Sequence, residues 1–290
     1  MASLPGIGAR SLGVLLCLAA CDKSPEPAPS QASTPPTPAA EHQDAPEPAA
    51  PAQDTDEKPP QMSVELVETP SSEAGSRGLA VTFAIEEGWH IYWTNPGESG
   101  LPTRVKFTGP EGSEFSETGY PLPETFVAPG DIQSYGYGQR TALFSTVRGA
   151  NVGDEVSAKA SWLVCKSSCI KQDAELSLKL GGPSSADFED LRKRVPAPFD
   201  QAPASTPQWE SSERSTTLVL SFSGEAPTQF IPASTDPFIL ESSTLDAQTL
   251  TLRWRRVAPS APSAGQGVIV FGDEKNPRPY RLTLDWPPTT

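Results

Sequence analysis

Apolar and polar residues alternate with a period of two along much of the chain, and this period predicts β-strands with one buried face. The alternation is clearest over residues 79–85 and 155–164. Glycine and proline turns separate the segments. Many short strands at regular intervals predict an all-β sandwich, which we place at residues 62–182. Its further strands are expected at 64–66, 89–93, 104–107, 141–147 and 174–180.

A second β pattern follows a short connector. The connector, residues 183–206, contains a predicted helix at 184–195, with Ser184 and Asp187 as a capping box. Residues 207–290 then predict a second, smaller β-sandwich-like domain. Its strands are expected at 218–222, 249–256, 267–271 and 280–286. This domain contains no cysteine and no histidine, so we expect the chemistry to lie in the first one.

Two cysteines stand at the end of one predicted strand and the start of the next. Val164 and alternate residues before it share one face, whereas Cys165 falls on the opposite, more polar face. The tripeptide Lys166-Ser167-Ser168 connects this strand to a returning one. Residues facing each other across a tight hairpin have Cα atoms about 4.5–5.5 Å apart, which is disulfide range. The sequence therefore predicts a cross-strand pair of Cys165 and Cys169.

The spacing alone leaves three uses of this pair open. A disulfide across so short a loop stabilises by only about 2 kcal/mol, but it would suit an exported protein. A short cross-strand bridge is easily strained and then more reducible, and Lys166 would favour a thiolate at Cys165. Two thiolates could instead hold Cu(I). A structural zinc site needs four ligands, and His90 is the only histidine where folding is expected.

The N-terminal region differs in composition from the rest. Residues 1–20 carry a basic residue and a short apolar run, which predict a signal peptide. The run ends in Leu18-Ala19-Ala20-Cys21, which resembles a bacterial lipobox and implies lipidation of Cys21 and firm membrane anchoring. Residues 21–61 are rich in proline, alanine and acids, so we expect a disordered tether. The formal net charge of −14 argues against nucleic acid as a partner.

Three motifs carry a family resemblance. They are Gly88-Trp89-His90-Ile91-Tyr92-Trp93-Thr94-Asn95-Pro96-Gly97, Tyr135-Gly136-Tyr137-Gly138, and Trp162-Leu163-Val164-Cys165-Lys166-Ser167-Ser168-Cys169-Ile170. In order and spacing they resemble the N-terminal periplasmic domain of the DsbD family of thiol:disulfide interchange proteins, including its ScsB-like branch. The resemblance implies an immunoglobulin-like sandwich and a thiol:disulfide exchange module that needs no bound cofactor. It assigns Cys169 as the attacking thiol and Cys165 as the resolving one.

The resemblance also implies a cap over the cysteine pair. In this family a cap loop between strands covers the pair, and residues 120–138 occupy that position as a long connection. Phe126, Tyr135 and Tyr137 are the candidate shielding aromatics. Each of them could instead be a packing anchor of a rigid loop.

Two polar residues near the motifs have open roles. His90 could assist proton transfer near neutral pH, or it could be a strand residue within an aromatic cluster. Lys171 stands where family members often have proline, and it adds positive charge near the thiols.

Partners and location follow from the same resemblance. Longer members continue into a multi-helix membrane domain and a thioredoxin-like domain, whereas this chain stops at Thr290 with neither. We therefore expect thioredoxin-like periplasmic partners and a separate membrane protein as electron donor. Asp22 favours the inner over the outer membrane for the lipoprotein. The alternatives are a non-catalytic protein-binding module with a structural disulfide, and a Cu(I)-binding or copper-stress role.

Overall fold

The computed structural model describes residues 60–71, 73–212, 215–233, 238–256 and 265–284. Nearly all of the regular structure in this part of the chain is β. The strands are β1 (Met62–Thr69), β2 (Ser76–Ile85), β3 (His90–Gly97), β4 (Arg104–Thr108), β5 (Glu114–Phe115), β6 (Glu124–Ala128), β7 (Ile132–Gly138), β8 (Arg140–Arg148), β9 (Glu155–Cys165), β10 (Cys169–Lys179), β11 (Ala197–Pro198), β12 (Ser205–Ser211), β13 (Ser215–Phe222), β14 (Gln229–Pro232), β15 (Phe238–Asp246), β16 (Thr249–Arg256), β17 (Gly265–Phe271) and β18 (Arg278–Leu284). One α-helical turn, α1 (Glu189–Arg192), and one 3-10 turn (Phe199–Gln201) lie in the connector.

Strands β1–β10 form two antiparallel sheets that face each other. One sheet has the order β1-β2-β8-β5 and the other has the order β10-β9-β3-β7-β6. Strands β3 and β4 both pair with the same edge of β9, at different positions along its length. Because alternate residues point to opposite faces, each strand contributes one apolar row to the space between the sheets. Phe83 and Trp162, one from each sheet, meet there edge to face with ring centroids 5.3 Å apart.

Strand β9 has the faces that its alternation predicts. Its inward row is buried, with no member more than 5% exposed: Val156, Ala158, Ala160, Trp162 and Val164. Cys165 follows on the opposite face. The strand that ends in a cysteine is therefore fixed in register by its apolar row, since a slip of one residue would expose that row.

Strands β11–β18 form a second pair of four-stranded sheets. Their orders are β12-β13-β16-β15 and β11-β18-β17-β14. The core between them is fully buried around Trp254 and Phe271. The all-β prediction is thus confirmed for both halves of the described chain. The division at residues 182 and 207 stays a prediction.

The two sandwiches pack directly on each other. Ile231, Val268 and Val270 of the second sandwich belong to the apolar core cluster of the first. The Asn95 side-chain amide donates a hydrogen bond of 2.6 Å to the carbonyl of Pro232. Arg281 forms an ion pair of 3.0 Å with Glu117 across the same boundary. Apolar burial, rather than a flexible connector, therefore joins them.

Two local predictions are wrong. The helix expected at 184–195 is only the single turn α1, and its N-cap residue, Phe188, makes no side-chain capping hydrogen bond. The capping box of Ser184 and Asp187 does not form, since Asp187 bonds Ser185 instead. Residues 120–138 are not one long loop, since β6 and β7 form a hairpin within them.

No helix in the described residues is long and apolar enough to span a bilayer. The signal peptide, Cys21 and residues 21–59 of the tether lie outside the described residues.

Candidate functional site

The cysteine pair lies where the sequence predicts it, across the hairpin of β9 and β10. Cys165 and Cys169 are register partners and form a disulfide with Cα atoms 4.2 Å apart. In the connecting turn, the Lys166 backbone N–H donates a 3.0 Å hydrogen bond to the Ser168 carbonyl. The hairpin is therefore closed by both a backbone hydrogen bond and a covalent bond.

The two sulfur-bearing residues differ in exposure. Cys165 is only 2% exposed, whereas Cys169 at the start of β10 is exposed. Thiol–disulfide exchange requires in-line approach of an attacking sulfur, so access decides which sulfur reacts. This difference favours Cys169 as the residue that contacts a partner.

A row of residues crosses the sheet from the disulfide. His90 on β3 is the register partner of Cys165 on one side and of Gly138 on the other. Directly paired residues share a face, so His90 lies on the face that carries the cysteines. The Phe126 ring stacks on the His90 ring, with centroids 4.4 Å apart and an interplanar angle of 16°. A Cβ at Gly138 would lie 3.8 Å from Phe126 Cζ, an ordinary van der Waals contact, so the ring lies close above this part of β7.

The surroundings of His90 favour its neutral form. Its Nε2 is buried and has no hydrogen-bond partner among the described residues, and burial lowers its pKa. Tyr92 packs edge to face against the ring at 5.2 Å. Glu124 on β6, two residues before Phe126, and Lys166, next to Cys165, are charged residues on neighbouring elements. The aromatic-cluster interpretation of His90 is confirmed, but its position beside Cys165 makes it part of the site.

Only one of the three cap candidates lies on this face. Tyr137 is 3% exposed in the core, and its hydroxyl donates a 2.8 Å hydrogen bond to the Pro121 carbonyl. Burial raises the Tyr137 pKa well above its ordinary value. Tyr135 packs edge to face on Trp93, also toward the core. Both tyrosines pack toward the core, and Phe126 is the candidate that stacks on His90, the register partner of Cys165.

The nearby lysines do not form ion pairs at the disulfide. The Lys166 ammonium lies 6.0 Å above the Trp89 ring, and its aliphatic chain passes the turn at Gly88. Lys171 is exposed on β10, two residues after Cys169. The described residues contain no cluster of three or more metal-ligating side chains.

The site is thus a disulfide held in a β-hairpin of a sandwich, with Cys165 buried and Cys169 exposed. Residues 60–181 match the family described as "Thiol:disulfide interchange protein DsbD, N-terminal", and they form a DsbD N-terminal-like domain with an immunoglobulin-like fold.

Two solved structures are similar to parts of this chain, and the first of them shares its fold. The N-terminal periplasmic domain of ScsB from Proteus mirabilis is 18% identical, with a TM-score of 0.57 over 78% of this chain and 94% of that one. The reduced N-terminal domain of DsbD from Neisseria meningitidis is 17% identical, with a TM-score of 0.27 over 41% of this chain and 86% of that one. No curated protein matches the chain.

Proposed function

We propose that this protein exchanges electrons with partner proteins through Cys165 and Cys169 as a dithiol–disulfide pair. The observation that carries the proposal is the asymmetric exposure of the two cysteines within one hairpin. An exposed sulfur can meet a partner, while a buried neighbour is held within bonding distance to complete the reaction. A purely structural bridge has no need of this arrangement, and it would stabilise by only about 2 kcal/mol at this loop length.

The exchange proceeds by two displacements. The Cys169 thiolate attacks one sulfur of a partner disulfide, and the other partner sulfur leaves as a thiolate. The Cys165 thiolate then attacks the Cys169 sulfur of this mixed disulfide, and the bound partner cysteine leaves as the second thiolate. Two electrons pass to the partner, and the Cys165–Cys169 disulfide forms. The reverse sequence reduces this pair and oxidises a dithiol partner.

The reduction potential of the pair is the direct test. We expect a value between roughly −180 and −270 mV, where exchanging redox proteins lie. It is measured by alkylation and mass spectrometry of the chain from residue 22 onward, equilibrated in glutathione or dithiothreitol buffers. A bridge that stays intact below about −300 mV would identify a structural disulfide and a non-catalytic binding module instead.

We assign Phe126 and His90 as a cap beside the pair. Their stack covers the face next to Cys165, and burial holds His90 neutral when the stack is closed. An open arrangement leaves His90 in water, so it takes up a proton at higher pH than the closed one does. As the pH falls from the ordinary histidine value of 6.5 toward the lowered pKa, protonation of the open form therefore favours opening.

This cap makes disulfide access depend on pH. At pH 7.5, Phe126→Ala should speed reduction by a water-soluble phosphine about two- to tenfold, since an aromatic pair contributes about 0.5–1.5 kcal/mol. At pH 5.5 the ratio of variant to wild-type rates should be closer to one than at pH 7.5. Taking the ratio at each pH cancels the titration of the phosphine. A ratio that does not change with pH, or that stays at one throughout, would refute the cap.

We further propose that the protein is a lipoprotein facing the periplasm, with thioredoxin-like proteins as partners. The ScsB domain with the same fold is described as periplasmic, and Leu18-Ala19-Ala20-Cys21 fits a lipobox. Cys21→Ser should abolish incorporation of labelled palmitate, because the sulfur that accepts the lipid is gone. Palmitate labelling that persists in Cys21→Ser would argue against a lipid anchor at this residue.

A further inference from the structure

Strand β10 is the terminal strand of its sheet and starts at the exposed cysteine. It has 11 residues and pairs with β9 along its whole length without a register shift. No described residue makes a backbone hydrogen bond to its other side. A long, regular edge of this kind is a ready template for another strand.

The register shows which backbone groups are open. The 4.2 Å Cα separation of Cys165 and Cys169 is typical of a non-hydrogen-bonded antiparallel pair, and the adjacent bond from Lys166 to Ser168 agrees. Because bonded and non-bonded pairs alternate, the N–H and C=O groups of alternate residues from Cys169 point away from β9. These residues are Cys169, Lys171, Asp173, Glu175, Ser177 and Lys179, and we call their outward backbone the β10 edge.

Apolar side chains border this edge on its inner side. Ile170, Leu176 and Leu178 of β10 are only partly buried, and they pack on the core with Met62 and Val64 of β1. The two sheets therefore meet here in a seam that is incompletely covered. An added strand would place every second side chain over this seam.

From these features we propose that the β10 edge binds an extended segment of the redox partner as an added antiparallel strand, with the partner cysteine opposite Cys169. This inference rests on the proposed exchange function. A residue facing Cys169 across a hydrogen-bonded pair has its Cα about 5.5 Å away, within disulfide range. Strand addition therefore puts the attacked sulfur within reach of Cys169 without further movement.

Charge and polarity define the segment. In an antiparallel register, the residue two before the partner cysteine faces Lys171, and the residue one before it faces Ile170 and the seam. The fitting pattern is therefore acid, apolar residue, cysteine.

A second copy of this chain fits less well. Full-length pairing of two β10 edges places Asp173 opposite Glu175 twice, and like charges directly opposite are destabilising.

The test uses the reduced Cys165→Ser variant of the chain from residue 22 onward, in which Cys169 is the remaining cysteine. The probe is a synthetic peptide with the acid–apolar–cysteine pattern, its cysteine activated as a 2-thiopyridyl disulfide. The Cys169 thiolate displaces 2-thiopyridone, whose absorbance reports the rate. N-methylation of the acidic residue blocks an amide that faces the β10 edge, and it should slow the reaction about tenfold. N-methylation of the apolar residue blocks an amide that faces away, and it should have little effect.

A matched pair of protein variants tests the same contact from the protein side. Lys171→Pro removes an outward N–H without removing a bond to β9, and Lys171→Ala removes the same charge but keeps the N–H. The proline variant should react with the peptide about tenfold more slowly than the alanine variant. Both should react equally with oxidised glutathione, which is too small to need the edge.

The outcomes separate the two proposals. Equal peptide rates for Lys171→Pro and Lys171→Ala, with glutathione exchange intact, overturn the edge and leave the exchange function standing. Failure of Cys169 to react with either disulfide overturns both. Dimerisation of the full chain that Lys171→Pro abolishes would assign the edge to a second copy and also overturn this inference.

Discussion

Cys165→Ser is expected to accumulate mixed disulfides with partner proteins, whereas Cys169→Ser is expected to form none that can be detected. With Cys165→Ser, the exposed Cys169 can attack a partner disulfide, but no second thiol is present to resolve the product. Mixed disulfides should therefore accumulate. With Cys169→Ser, the remaining thiol is only 2% exposed in the native protein, and covalent adducts should fall below detection.

Oxidised glutathione is the first probe, followed by a periplasmic extract, with adducts resolved by mass spectrometry under non-reducing conditions. Both variants lose the same disulfide, which costs about 2 kcal/mol on the chain-entropy formula, so each serves as the stability control for the other. Equal trapping by the two variants, or stronger trapping by Cys169→Ser, would reverse the roles assigned to the cysteines.

Gly136→Ala is expected to destabilise the protein more than the addition of a methyl group at any other position of β7. A Cβ at Gly136 would lie 2.1 Å from the backbone carbonyl oxygen of Ile91, and Ile91 is fully buried in the core. Backbone atoms cannot turn aside as a side chain can, so β3 and β7 must separate. We expect a loss of about 3 kcal/mol, at the upper end for overpacking.

Gly138→Ala is the matched control for this experiment. It adds the same methyl group two residues along the same strand, where the nearest atom would be 3.7 Å away at Glu124 Oε2. Denaturant unfolding of both variants, followed by tryptophan fluorescence, compares them directly. If Gly136→Ala were no less stable than Gly138→Ala, the close approach of β3 to β7 would be wrong.

Local features of the site are readable from the sequence. The register of Cys165 with Cys169 follows from the alternation of β9 and the three-residue turn, both of which involve neighbours in the chain. The position of His90 is different, because its pairing with Cys165 joins strands 75 residues apart. No periodicity within β3 specifies which strand will lie beside it.

The sequence pattern did not predict the hairpin of β6 and β7, for a different reason. Its residues include Pro129, Gly130 and two Tyr-Gly steps, which are typical of loops. Gly136 instead lies within a sheet, where it allows the Ile91 backbone to approach. In the second sandwich, the apolar residues of β15 cluster at its start instead of alternating, and its register shifts between Leu240 and Ser242, so alternation did not indicate it. Tertiary pairing decides both cases.

Because the two sandwiches share a core, a substitution in the second can destabilise the first. The family match ends at residue 181, but the apolar cluster that contains Val164, the neighbour of Cys165, also includes Ile231, Val268 and Val270. Cooperative unfolding then links the cysteine hairpin to strands that carry no reactive group. A destabilising substitution in β14 or β17, far along the chain from Cys165 and Cys169, would therefore also reduce the proposed exchange activity through the shared core.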